Sequence, residues 1–309
     1  MSRLKVKNDF IFQKIFGQSE HKEILISFLN AVLELDDEKK LKDIEIINNT
    51  KLTKENINDK LGILDIRAKS VSGEQFNIEV QLINQYNMDK RTLFYWSKLY
   101  TGQLKQGQMF NELKKTITIN ILDFNYIGID AYHTAFHLWE DGVRDYKLTD
   151  VLEIRFIELP KFRKVRPDLS KPLDRWLVFI DGSSKEVLEM AAKEEPTIAK
   201  AEELLERLGS LEEINRYYEL REKAVHDEAT RLWGAREEGR EVGRKEGREE
   251  GMEKGIEKGM EKGMEKGIEK GREEGKIEVA RKLASTDMEA EKIAEITGVP
   301  IEEIKKLYQ

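Results

Sequence analysis

Two acidic side chains stand on neighbouring β-rich runs in residues 61–82, LGILDIRAKSVSGEQFNIEVQL. A three-residue turn at 71–73 (VSG) would place Gly73 in the left-handed region, which glycine enters without steric penalty. That turn sets Asp65 opposite Glu79, and the apolar residues that pair between positions 64 and 80 then fall on the other face. The stretch therefore predicts a β-hairpin with one acidic face.

The predicted pair could hold a metal ion. Carboxylates that face each other across a sheet lie about 5 Å apart at Cβ and repel, and a divalent cation between Asp65 and Glu79 removes that repulsion. Mg²⁺ prefers oxygen ligands and can polarise a phosphodiester and lower the pKa of bound water. The same register brings Gln81 to this face. Alternatively, the acids are ordinary cross-strand partners of Arg67 and nearby lysines on a solvated face.

Composition limits the class of protein. The 309 residues allow one or two domains with appendages, and 37% of them are charged, against about a quarter in ordinary proteins. A net charge of -7 argues against a general nucleic-acid coat but leaves room for a local basic groove. The absence of cysteine favours a reducing cytoplasm. Without a signal peptide or an apolar run of about 18 residues, we expect a soluble, cytoplasmic protein with no membrane contact.

The first part of the chain alternates helix and strand patterns. Residues 7–34 predict amphipathic helices around a break at Gly17, and residues 88–107 predict a helix with Gly107 near its end. Besides the hairpin, strands are predicted near residues 42–50, 115–127, 132–141 and 149–162. The order predicts an α/β fold in which helices flank a mixed sheet. The expected domains are 1–182 for this core, 183–236 for a helical region, 237–276 for a repeat and 277–309 for a small helical segment.

Glycine recurs every fourth residue from Gly239 to Gly275. Glycine in a helix interior destabilises it by about 1 kcal/mol relative to alanine. Because a period of four drifts about 40° per repeat, the glycines cannot form one straight seam. The repeat is either a marginal, salt-bridged helix or flexible tether, which we favour, or a surface for close self-association with strong right-handed coiling.

The C-terminal stretch AEKIAEITGVPIEEIKKLYQ resembles the start of a helix-turn-helix, with its turn at residues 299–300. Only Lys305 and Lys306 could contact phosphates, and their surroundings are acidic. The pattern is weak as a DNA reader. A small protein-contact or dimer-stabilising cap is at least as consistent with it.

Several landmarks, taken together, resemble a known family. An Asp on one strand, a Glu two positions before a Lys or Gln on the next, and a following helix resemble the PD-(D/E)XK nuclease superfamily. ILDIRA…GEQFNIEVQL followed by KRTLFYWSKLYTGQLKQG closely resembles the branch of Rpn recombination-promoting nucleases and putative transposases. NDFIFQKIFG…LISFLNAVL and VLEIRFIELPKF resemble the same branch, so the likeness covers roughly residues 5 to 180.

The resemblance implies a restriction-endonuclease-like fold and a Mg²⁺-dependent DNA endonuclease, with recombination or mobile elements as its context. It implies that Asp65 and Glu79 bind the metal. Gln81 matches the position usually held by lysine, where it could orient water without supplying charge. Arg91 is the expected phosphate contact, and Tyr95 lies one turn further on the same helix face.

Each of these assignments has an alternative. Tyr95 could be a core residue and Arg91 a structural ion-pair partner. Asp9 could add a metal ligand but is better explained as a helix cap. His133 and His137, about 13 Å apart on a predicted strand, are not expected to form a site. The alternative function is a catalytically inactive relative that binds DNA or a protein and self-associates, as a dimer or larger homo-oligomer, through its tail.

Overall fold

The computed structural model describes residues 3–47, 66–143, 145–286 and 288–308. Asp65 therefore lies outside the described residues, as does its predicted pairing with Glu79. The chain divides into two compact units, Met1–Arg231 and Leu232–Gln309. None of the described helices is both long and apolar enough to cross a bilayer.

In the described part of the first unit, strands form one sheet in the order β1-β2-β3-β4-β6-β5. Neighbours β1–β2, β2–β3 and β5–β6 are antiparallel, whereas β3–β4 and β4–β6 are parallel. The predicted mixed sheet is thus confirmed. The strands are β1 Ile44–Ile46, β2 Ile66–Ser70, β3 Gln75–Gln81, β4 Thr116–Leu122, β5 His133–Trp139 and β6 Lys147–Glu158.

The hairpin of β2 and β3 has the predicted register in its described part. Ile66 pairs with Ile78, and Gly73 adopts a φ of 93°. The N–H of Gly73 donates to the carbonyl of Ser70 at 3.0 Å, which closes the turn. The alternation of apolar residues and the position of the turn glycine predict the same register. A shift by one residue would move the apolar side chains to the other face of the sheet.

Helices cover both faces of the sheet and complete the core of the first unit. Phe16 and Phe28 contact Trp176, and all three side chains are fully buried. The break predicted at Gly17 is confirmed, since α1 ends there. The helices are α1 Asp9–Phe16, α2 Lys22–Leu33, α3 Met88–Thr101, α4 Leu159–Phe162, α5 Pro172–Asp181, α6 Lys185–Glu194, α7 Pro196–Gly209, α8 Glu212–Ala284, α9 Ala290–Thr297 and α10 Ile301–Lys305.

The structure corrects two local predictions. The cap of α1 is Asn8, whose side chain accepts from the backbone N–H groups of Phe10 and Ile11, while Asp9 is the first helical residue. Helix α3 ends at Gly102, whose N–H bonds to the carbonyl of Lys98, and not near Gly107. The cap residue and the helix end are each decided by a local hydrogen bond that periodicity does not determine.

The glycine repeat lies within helix α8. A Cβ atom added at any of its glycines, Gly239 to Gly275, would meet nothing within 4 Å outside the local helix backbone. Ion pairs four residues apart support the helix, for example Lys254–Glu250 at 3.2 Å and Lys282–Glu278 at 2.9 Å. The repeat is therefore helical, and association through its glycines stays a prediction.

A small apolar cluster ends the second unit. Ala280, Ile293, Val299 and Ile304 are buried together, which packs the end of α8 against α9 and α10. Gly298 ends α9 with a φ of 68°, and α10 starts at Ile301. The predicted helix-turn-helix-like start is thus present as two short helices around this turn.

Candidate active site

Glu79 is the acidic residue of the hairpin that the structure describes. It lies on β3, and only 3% of its surface is exposed. Its Oε1 accepts from Nε of Arg91 at 2.8 Å and from Nη2 at 2.5 Å. The amide of Gln81 donates to the same oxygen. One carboxylate oxygen thus accepts all the side-chain hydrogen bonds that Glu79 makes within the described residues.

The other oxygen of Glu79 has a different environment. Oε2 is buried and has no hydrogen-bond partner among the described residues. A buried carboxylate oxygen without a partner is energetically unfavourable, so native proteins rarely keep one without a role. This oxygen is the position in the described site that could accept a cation or an ordered water.

A polar stripe surrounds Glu79 on this face of the sheet. Asn77, two residues before it, is 2% exposed, and neither its amide nitrogen nor its amide oxygen has a hydrogen-bond partner in the described part of the chain. Thr118, opposite Asn77 on β4, is fully buried, and its hydroxyl also lacks a partner within the described residues. Unsatisfied polar groups therefore cluster beside the carboxylate on two adjacent strands.

Helix α3 covers this stripe and positions Arg91. Thr92 of α3 donates to Asn120 of β4 at 2.9 Å, and Nε1 of Trp96 donates to the carbonyl of Thr116 at 2.9 Å. These bonds fix the helix above β4, so that Arg91 reaches Glu79 on β3. The guanidinium keeps a side-chain exposure of 22%, which makes it the partly open side of the pair.

Tyr95 adjoins Arg91, as the one-turn spacing predicted. The guanidinium carbon of Arg91 lies 5.3 Å from the centre of the Tyr95 ring, in a cation–π contact. Tyr95 is half-buried. The structure thus groups Glu79, Gln81, Arg91 and Tyr95 at one end of β3. Arg91 has the ion-pair contact that the structural alternative described, and its role towards phosphate is untested.

The place of Asp65 follows only by extension of the sheet. Ile66 and Ile78 form the last described pair at this end of the hairpin. One further residue on each strand would set Asp65 beside Glu79, which stays a prediction. Among the described residues, no group of three or more His, Asp or Glu side chains could hold a metal ion.

Asp9 is engaged elsewhere in the first unit. Both of its oxygens accept from Nε of Arg221 at 2.9 Å. This two-oxygen pair with a helix α8 arginine gives Asp9 a structural role. Neither of its oxygens is among the buried atoms without a partner.

The histidines of β5 belong to a buried charge network. Nη1 of Arg155 lies 3.1 Å from Nε2 of His133, and Nε2 of His137 lies 3.4 Å from Glu153. Burial, followed by the charge of Arg155, lowers the pKa of His133 from 6.5 to about 4. His133 and His137 therefore act as partners of Arg155 and Glu153 at the sheet edge.

Sequence reasoning missed the polar residues that surround Glu79. Asn77 alternates with apolar residues in QFNIEVQ, and Thr118 and Asn120 alternate in TITIN. Such alternation on a strand flanked by two others marks a buried polar face, which was the available signal. For the pairing of Arg91 with Glu79, the only signal in the sequence was the position of Arg91 near the start of the helix that follows the hairpin.

Comparison with known proteins adds the family. A family model described as PD-(D/E)XK nuclease family transposase matches residues 6–235. The chain belongs to this family. As a member of this family it has the restriction-endonuclease-like α/β fold that the resemblance implied. The match includes the hairpin, α3 and the helices up to the first part of α8. No curated protein and no solved structure gave a significant match.

Proposed function

We propose that the protein is a metal-dependent DNA endonuclease that hydrolyses phosphodiester bonds, with recombination or transposition as its context. The observation that carries the proposal is the buried carboxylate of Glu79, one oxygen of which has no hydrogen-bond partner among the residues that the structure describes. Glu79 is a buried acidic residue within the stretch that the PD-(D/E)XK family model matches. DNA is the substrate that the family name supports.

The donors at this end of the sheet suit a hard divalent cation. Within the described ranges, Oε2 of Glu79 and Oδ1 of Asn77, which lie on the same face of β3, are both buried and have no hydrogen-bond partner. Oxygen donors are what Mg²⁺ prefers. We assign Glu79 and Asp65 as the residues that would hold the ion, with Asp65 placed by hairpin register alone. When bound, such an ion polarises a phosphodiester and lowers the pKa of water.

The other residues have roles that follow from their contacts. Gln81 donates its amide to Glu79 and leaves its carbonyl oxygen to accept from a water, so it could orient the nucleophile. Arg91 supplies the positive charge that Gln81 lacks, and its planar guanidinium suits phosphate oxygens. To contact a phosphate, Arg91 would give up one of its two hydrogen bonds to Glu79. Tyr95 holds the guanidinium through its ring.

One observation favours the second candidate, a catalytically inactive DNA-binding relative. Nη2 of Arg91 lies 2.5 Å from Oε1 of Glu79, so the guanidinium already neutralises the carboxylate as a structural ion pair would. If that pair never opens, the buried carboxylate is closed to a cation. The two candidates therefore differ in whether a divalent cation can compete for Glu79.

A plasmid-nicking assay separates them. With Mg²⁺ or Mn²⁺ we expect the wild-type protein to relax supercoiled DNA, and EDTA should abolish the reaction. Glu79→Gln and Asp65→Asn should each lose activity, because each removes a metal-binding charge at nearly constant volume. Asp150→Asn, an exposed acid on β6, is the matched control and should cut normally.

Circular dichroism must show that the inactive variants are folded. Cutting that survives in both Glu79→Gln and Asp65→Asn would exclude the site. A wild-type protein that binds DNA without cutting it under any divalent metal would favour the inactive relative.

A further inference from the structure

The outer face of α3 carries basic and aromatic residues in alternation. Lys90, Phe94 and Lys98 follow at intervals of four, which places them along one side of the helix. All three are exposed, and Phe94 exposes 53% of its surface. Nζ of Lys98 lies 4.4 Å from the centre of the Phe94 ring. An apolar ring is thus presented to solvent between two cations.

The charge of this part of the chain is opposite to that of the whole. Residues 86–115 contain six Lys or Arg and two Asp or Glu, a balance of +4, whereas the chain has a net charge of -7. Four of these lysines have no ion pair within the described residues: Lys90, Lys98, Lys105 and Lys114. Unneutralised cations grouped on an acidic protein favour a polyanionic partner.

A second exposed aromatic residue precedes α3. Tyr86 is 67% exposed and has a φ of 62°, which is unusual for a bulky side chain. Its N–H donates to Oδ1 of Asn84 at 2.7 Å, which helps to hold the turn. Such a backbone is strained and persists only where the surrounding structure holds it in place. The chain therefore keeps a second ring in solvent at the start of the helix.

We propose that Tyr86, Lys90, Phe94 and Lys98, together called the α3 platform, bind unpaired nucleotides of the DNA substrate. This inference rests on the proposed nuclease function and adds the form of DNA that the site takes. Exposed rings can stack on the faces of unpaired bases, whereas a duplex hides those faces within its stack. The lysines then contact the phosphates between the bases.

The platform adjoins the candidate site through a single turn of helix. Arg91, which bonds to Glu79, precedes Phe94 by three residues, or about 4.5 Å along the helix axis. Tyr95 contacts Arg91 and also lies 5.6 Å from the Phe94 ring, centre to centre. A strand that stacks on Phe94 would therefore run beside the buried carboxylate.

Fluorescence anisotropy in EDTA tests the platform without cleavage. The probes are a labelled oligothymidylate and a labelled duplex of mixed sequence. We expect the full-length protein to prefer the oligothymidylate, and Phe94→Ala to weaken that binding by at least about fivefold. Lys98→Ala should make the plot of log affinity against log salt concentration less steep, by about 0.7 in slope, because one phosphate contact is lost.

The chain offers a matched control on the β5–β6 hairpin. Nζ of Lys147 lies 5.0 Å from the centre of the Trp139 ring, and Trp139 is 46% exposed. This contact between a lysine and an aromatic ring resembles that of Lys98 and Phe94. However, Trp139 is followed directly by two acidic residues, Glu140 and Asp141, which would repel phosphates. Trp139→Ala should therefore bind oligothymidylate as the wild type does.

Two results would overturn the platform. One is wild-type affinity in Phe94→Ala, and the other is a wild-type protein that prefers the duplex. Both measurements are independent of the nicking assay. Loss of nicking with retained Phe94-dependent binding rejects the nuclease alone, whereas nicking without such binding rejects the platform alone.

Discussion

At the scale of single residues, the two oxygens of Glu79 have contrasting environments. One oxygen accepts from Arg91 and Gln81, and the other is buried without a hydrogen-bond partner among the described residues. Removing one member of a buried ion pair leaves the other charge uncompensated, which is far more destabilising than losing a surface pair. Arg91 should therefore stabilise the fold as long as no other cation is present.

We predict that Arg91→Met lowers the free energy of unfolding by about 3 kcal/mol in EDTA. The methionine keeps the apolar stem while it leaves the carboxylate of Glu79 buried and unpaired. Urea denaturation measures the change. If Glu79 also binds a divalent cation, saturating Mg²⁺ should stabilise Arg91→Met more than the wild type, because only the variant's carboxylate has no competing cation.

The matched control is Arg231→Met. Arg231 pairs with Glu228 on α8, and its side chain is 66% exposed, so its loss should leave the stability close to that of the wild type. An Arg91→Met protein as stable as the wild type would mean that the pair contributes nothing to the fold.

At the scale of elements, the β5–β6 edge couples stability to pH. His133 is neutral when folded because burial and the charge of Arg155 hold its pKa near 4, against 6.5 when unfolded. Glu153 behaves differently, because burial raises its pKa while Lys115 and Arg155 outweigh that effect and hold the pKa at about 2. The two groups therefore act in separate pH windows.

We predict that the protein loses stability as the pH falls from 6.5 to 4. In that window the unfolded chain binds a proton at His133 and the folded chain does not, so acid favours unfolding, by up to about 3 kcal/mol. His133→Gln should flatten this part of the stability profile, measured by urea denaturation at successive pH values. The contribution of Glu153 is lost only below about pH 4.5, as the pH falls towards 2.

The exposed His226 provides the control for that experiment. His226→Gln should reproduce the wild-type profile. An unchanged slope between pH 6.5 and 4 in His133→Gln would show that other groups carry the dependence.

The elements also show what the sequence could predict. The hairpin register was predictable because Gly73 and the alternation of apolar residues allow one parity only. The end of α3 was not, because the bond from Gly102 to Lys98 is local and leaves no periodic trace. The pair of Arg91 and Glu79 depends on how α3 crosses β3, which is a tertiary fact. The predicted contact of Asp65 with Glu79 is outside the described residues.

At the scale of the whole molecule, charge and glycine are unevenly distributed. Residues 86–115 carry a balance of +4 on an acidic chain, while the repeat in α8 alternates Glu and Lys around its glycines. No glycine of that repeat has a neighbour that a Cβ would touch. Within the described chain, the glycines thus serve no close packing, and their effect is to weaken the helix.

We predict that replacing Gly255, Gly259, Gly263 and Gly267 by alanine raises helix stability without changing the oligomeric state. Each replacement should contribute about 1 kcal/mol to the local helix, because alanine is the stronger helix former and open space surrounds each site. Thermal melting followed by circular dichroism measures the first effect. Light scattering coupled to size-exclusion chromatography measures the second.

Gly128→Ala, at a loop glycine that also has open space around it, controls for substitution alone. If the alanine variant instead separates into smaller species, the glycines are an association surface and our preference for a tether is wrong.

The repeat has a consequence for inheritance. Its four-residue units are nearly identical from Gly251 to Gly271, so the gene encodes one short motif several times in tandem. Addition or deletion of a whole unit keeps the reading frame, and the residues downstream stay unaltered. Because no unit has a contact that fixes its number, lineages of this gene are expected to differ in repeat count.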